Sequence, residues 1–217
     1  MTPNKFSEKD SFSFDDFRAL VKFLRSPEGC SWDREQTHRS LRNNFVEEAY
    51  EVCEGIDLEN NELLCEELGD VLLQVLFHAG IAEDEGAFST EDVINGVAKK
   101  MVRRHPHLFA DKVHAQARDT WEELKRKEKN EKGLKDSLLR VSTALPALKR
   151  AEKIAKKVGD AAPKREKSPS DEEKIRLGEM LYKLCLSSVE QKIDPEEALN
   201  RYLAKIIEKC TNYEQTF

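Results

Sequence analysis

Residues 45–77 read FVEEAYEVCEGIDLENNELLCEELGDVLLQVLF, and they set two groups of carboxylates into segments that otherwise form the apolar walls of helices. Apolar residues recur at helical spacing on both sides of DLENN (57–61), with no strand-like alternation. The pattern predicts a helix over 41–56, a break at 57–61 and a longer helix over 62–83. If these form an antiparallel hairpin turning around Glu59, Glu48 faces Asp70 and Glu51 faces Glu67. Each pair is also spaced i, i+3 within its own helix, so the four side chains converge on one patch.

Most glutamates are simply solvated surface. Here the convergence from two helices argues for more. Residues 71–82 (VLLQVLFHAGIA) are apolar nearly all round except at Gln74 and His78, which continue the stripe of Glu67 and Asp70. The acids therefore lie on the polar seam of a helix that is largely buried. Like charges about 4 Å apart repel by about 4 kcal/mol at an effective dielectric of about 20, so something positive must offset them. An all-oxygen donor set without a Glu-x-x-His partner disfavours a di-iron centre and suits Mg²⁺ or Mn²⁺, cations that commonly share their coordination with substrate phosphates.

Outward from this hairpin, strand signals are nearly absent, and the chain reads as all-α. Further helices are predicted over 14–25, 90–104 (capped by Ser89 or Thr90), 116–132, 146–158 and 171–213, with SPEGCSWD (26–33) as a turn. Residues 159–172 (GDAAPKREKSPSDE) have the composition of a linker. The 217 residues are 39% hydrophobic and 36% charged, ordinary for a helix-rich globular chain. A net charge of -6 argues against a nucleic-acid-coating protein, and the basic run 149–157 reads as a solvated helix face. The opening residues, MTPNKFSEKDSFSF, lack the apolar core of a signal peptide, and no run approaches the length of a membrane span. Five cysteines without a C-x-x-C pair suggest reduced thiols rather than a disulfide framework. The expectation is a cytoplasmic protein without membrane partners.

An open cation site calls for a phosphorylated substrate, and basic residues follow in KKMVRRHPHLF (99–109): Lys99, Lys100, Arg103, Arg104 and His105. Arginine suits bidentate phosphate contacts, while a cationic helix end is equally what the helix dipole favours. Upstream, GCSWDREQTHRSL (29–41) offers Trp32, Gln36 and His38. An aromatic plane and an amide suit a nucleobase; a lone tryptophan before a helix also serves as a packing anchor.

Taken together, LRSPEGCSWDREQTHRSL (24–41), the E-E-x-x-E of Glu47, Glu48 and Glu51, the E-x-x-D of Glu67 and Asp70, and RRHPHLFAD (103–111) resemble the MazG family of all-α nucleoside triphosphate pyrophosphohydrolases. The resemblance covers about residues 14–130, and 145–159 is similar to the connector between the tandem domains of bacterial members. It implies a homodimer of helical bundles that hydrolyses (d)NTP to (d)NMP and pyrophosphate in nucleotide-pool housecleaning. It further implies divalent metal held by Glu48, Glu51, Glu67 and Asp70, with Glu47 orienting water or acting as base. The matching basic stretch is Lys100, Arg103 and Arg104.

The chain departs from the two-domain pattern in its second half. LGDVLLQVLFHAG (68–80) aligns with LGEMLYKLCLSSV (177–189), and 88–104 aligns with 193–209, so a helix pair reads as duplicated. In the second copy Arg176 stands for Glu67 and Glu179 for Asp70, and no acidic helix precedes it. The expected organisation is a catalytic domain over 1–135, a connector helix and linker over 136–172, and a degenerate second helix pair over 173–217. The eroded half keeps two rivals in view: a narrow-substrate enzyme of the same fold, and a non-catalytic nucleotide-binding or interaction module.

Overall fold

The structure, a computed structural model, describes residues 4–109, 128, 133–159 and 168–213. Every regular element among them is a helix, and the chain divides into two compact units, Met1–Gln116 and Ala117–Phe217. The helix expected over 116–132 falls outside the described residues except for helical Glu128.

The first unit contains α1 (Asn4–Ser7), α2 (Phe14–Leu24), α3 (Ser31–Glu35), α4 (Arg42–Asp57), α5 (Asn61–Asp84), α6 (Thr90–Arg104) and α7 (Pro106–Phe109). Reciprocal caps fix the starts of α2 and α6. The Asp16 N–H donates to Ser13 Oγ (3.2 Å) while Asp16 accepts from the Ser13 N–H (3.1 Å), and Ser89 and Asp92 repeat the arrangement. Of the two residues the sequence offered as the cap of α6, Ser89 is the one that caps it.

Helix α5 is the axis of this unit, packing against α2, α4 and α6. Leu76, Phe77 and Ile81 join Val21 and Leu41 in the core, with Phe17 and Leu73 against them. The nearly all-round apolar character of 71–82 is thus explained by partners on several sides. The predicted turn at 26–33 runs into a short helix, α3, which is too brief and too polar to show a helical period in the sequence. No helix of the described residues is long and apolar enough to cross a membrane.

The second unit contains α8 (Leu134–Leu139), α9 (Ala147–Val158), α10 (Asp171–Glu190) and α11 (Pro195–Tyr213). Leu138, Val141, Ile154, Leu203 and Ile207 form its core, so α8 and α9 cover the apolar face of α11. The buried Arg150 donates to Asn200 Oδ1 (2.9 Å) across the same contact. Leu177 and Leu184 of α10 stay 58% and 67% exposed; the helical stretch 171–213 divides after Glu190, where Lys192 turns left-handed, into the two helices that the sequence read as a pair.

Candidate active site

The hairpin of α4 and α5 turns where the sequence placed the turn. Glu59 takes a left-handed backbone (φ 52°), and the Asn60 side chain accepts from the N–H groups of Glu62 (3.1 Å) and Leu63 (3.2 Å), capping α5. Gly55 lets the helices close on one another: a Cβ there would lie 3.0 Å from the backbone of Leu64. This close crossing just before the turn sets the register of the acids further along.

Glu48, Glu67 and Asp70 each offer a carboxylate oxygen within 4.8 Å of the others. Glu51 lies outside that trio but acts on Glu48 and Glu67. A shared hydrogen bond with Glu51 raises the pKa of Glu48, and Glu51 is the foremost charge acting on Glu67. Burial is the first cause that lifts Glu48 and Glu67 above the ordinary glutamate value, and every charge that adds to it is negative: Asp70, Glu51 and Glu47 on Glu48; Glu51, Asp70, Glu66 and Glu48 on Glu67. Glu67 is only 9% exposed. Gln74, a turn further along α5, has its Oε1 buried without a hydrogen-bond partner. Convergent oxygens that repel one another, next to an unpartnered amide oxygen, fit a divalent cation.

The remaining sequence candidates are distributed around this cluster. Glu47 is exposed on α4 and contributes charge to Glu48. On α6, Lys100 is half-buried, Arg103 exposed and Arg104 9% exposed, so the basic run does not project as one solvent face. Trp32 is 61% exposed, which does not match the packing-anchor alternative. The Gln36 amide donates to the Trp32 carbonyl (2.9 Å) and accepts from Ser40 Oγ (2.8 Å), folding residues 32–40 on themselves.

Two features had no signal in the sequence. His38 and His78 meet through their Nδ1 atoms at 2.8 Å with rings nearly parallel, and Phe45 packs edge-on to His78. Burial first, and His38 second, hold the His78 imidazole below its ordinary pKa. A cavity of about 620 Å³ also opens beside α2, α5 and the start of α6, lined by Arg18, Lys22, Arg25, Glu83 and Asp84 among others, and it contains none of the clustered acids.

Comparison with known proteins bears on this cluster directly. Residues 36–109, which carry all four acids and the basic run of α6, match the model of the MazG nucleotide pyrophosphohydrolase domain. The nucleoside triphosphate pyrophosphohydrolase/pyrophosphatase MazG of Thermotoga maritima is 38% identical over 221 residues, covering 93% of this chain and 86% of that protein. The chain belongs to the MazG family. Similarity to two other proteins covers only part of their length. The uncharacterized protein YabN of Bacillus subtilis is 51% identical over 148 residues, 66% of this chain but 30% of YabN. The nucleoside triphosphate pyrophosphohydrolase of Escherichia coli K12 is 40% identical over 142 residues, 64% of this chain and 54% of that enzyme.

Proposed function

We propose that the chain hydrolyses nucleoside triphosphates to the monophosphate and pyrophosphate at the acid cluster of α4 and α5, as a hydrolase of acid anhydrides. The observation that carries this reading is the meeting of Glu48, Glu67 and Asp70 oxygens within 4.8 Å, where neighbouring carboxylates raise the pKa of Glu48 and Glu67. Mg²⁺ or Mn²⁺ held there by Glu48, Glu51, Glu67 and Asp70 would neutralise the phosphate chain and acidify water. The chain's own residues do the rest. Glu47 orients the attacking water and accepts its proton as the oxygen adds at the α-phosphorus and the α–β anhydride bond breaks. Lys100, Arg103 and Arg104 bind the departing pyrophosphate, and Trp32 and Gln36 contact the base.

The same reading takes the protein to be a cytoplasmic homodimer acting on the nucleotide pool. Five free cysteines support the first point, and the exposed Val46, Tyr50 and Val97 on α4 and α6 support the second. It also assigns catalysis to residues 1–135, a connector to 136–172 and a degenerate helix pair to 173–217, where Glu179 is spent on an ion pair with Lys183 (2.5 Å). The test is pyrophosphate release from a panel of ribo- and deoxynucleoside triphosphates, with Mg²⁺ and with chelator. Glu51→Gln and Asp70→Asn should each abolish release while the protein stays folded. Turnover near the wild-type rate in a folded variant would remove the assignment.

A further inference from the structure

Arg25, the residue that ends α2, is buried to 7% side-chain exposure, although arginine rarely is unless its charge is met. Its guanidinium joins three parts of the first unit. Nη1 donates to the Asp33 carbonyl (2.9 Å), with a longer contact to the Gln36 carbonyl (3.5 Å); both lie at the C-terminal end of α3, where a cation is favoured. Nη2 donates to Asp84 Oδ2 (2.8 Å) at the last residue of α5. The stem crosses α5 at Gly80, where a Cβ would come within 3.3 Å of Arg25 Cδ. The other end of the segment is tied to α5 by the bond between His38 and His78.

Residues 31–40 are therefore strapped to α5 at two points about two turns apart, and Trp32 stands 61% exposed on that strap. We propose that Arg25 is a positioning residue that sets the Trp32–Gln36 segment for nucleotide binding, through a fork spanning the α3 carbonyls and Asp84. The proposal rests on the reading of Trp32 as a substrate contact. Lysine cannot replace the fork, because a single ammonium does not satisfy carbonyl and carboxylate in one plane.

The test compares wild type, Arg25→Lys, Trp32→Ala and the double variant in Mg²⁺-dependent pyrophosphate release, together with amide hydrogen exchange over residues 31–41. Arg25→Lys should raise KM about tenfold with kcat within about twofold, and speed exchange of the 31–41 amides. On the Trp32→Ala background it should add no more than about twofold to KM, as expected of two residues acting through one contact. If Trp32→Ala raises KM while Arg25→Lys does not, or if exchange over 31–41 is unchanged, the positioning role is overturned and the Trp32 reading stands. If Trp32→Ala leaves KM unchanged, the Trp32 reading fails and takes the proposal with it. Asp84→Ala, at a 62% exposed side chain, gives the same readings should Arg25→Lys not fold, with a smaller shift in the same direction.

Discussion

Replacing Glu48 by glutamine should stabilise the protein when no cation is present and weaken it when one is. The side chain keeps its size and can still donate to Glu51, but it loses a charge that sits within 4.8 Å of the Asp70 and Glu67 oxygens. At that separation one like-charge pair costs about 3.5 kcal/mol at an effective dielectric of about 20. Glu48 is half-buried and keeps part of its carboxylate in reach of water and salt, which reduce this to about 1 kcal/mol. For a unit of this size that is a rise of about 5 °C in Tm. A bound cation reverses the order: at a free concentration of 100 Kd the wild type gains about 2.7 kcal/mol, whereas the variant, short of one ligand, gains less. Calorimetry of both proteins in chelator and in Mg²⁺ reads the two orders directly. A Glu48→Gln protein that melts at or below the wild type in chelator would refute the view that the cluster is held together against its own repulsion.

Two further outcomes follow from the same geometry. Because the pKa values of Glu48 and Glu67 are raised, these two groups bind protons more tightly in the native state than in the unfolded chain, and the stability they contribute to the metal-free protein falls as pH climbs from about 4.5 through the raised values. The Tm advantage of Glu48→Gln in chelator should accordingly grow over that window and then level off; an advantage already complete at pH 4 would contradict the assignment. In the second unit, Leu138 is fully buried, so Leu138→Ala should cost about 2–5 kcal/mol. Pyrophosphate release should persist in that variant at 25 °C, and its loss would show that the first unit does not act alone.

The acid hairpin was legible because its information is local. Periodicity located both helices, DLENN marked the turn, and i, i+3 spacing on antiparallel partners brought Glu48 opposite Asp70. What escaped the sequence depends on partners distant along the chain. Arg25 finds Asp84 and His38 finds His78 across gaps that leave no periodic trace, and α3 is shorter than the window in which a period can be recognised. Trp32 illustrates a different limit: burial is a property of the whole packing, so the residue type alone left a packing role open where the structure leaves the ring exposed. Similarly, the cover that α8 and α9 give the apolar face of α11 joins segments far apart in the chain and leaves no local trace.

The shortness of the connection between α4 and α5 also bears on how the protein folds. All four acids lie within residues 48–70, so the cluster closes through contacts of low sequence separation, the class that forms early and fast. Its carboxylates oppose that closure from the moment the hairpin begins to zip. A divalent cation then acts on the folding barrier as well as on the finished site, and refolding in its presence should be accelerated rather than merely followed by binding.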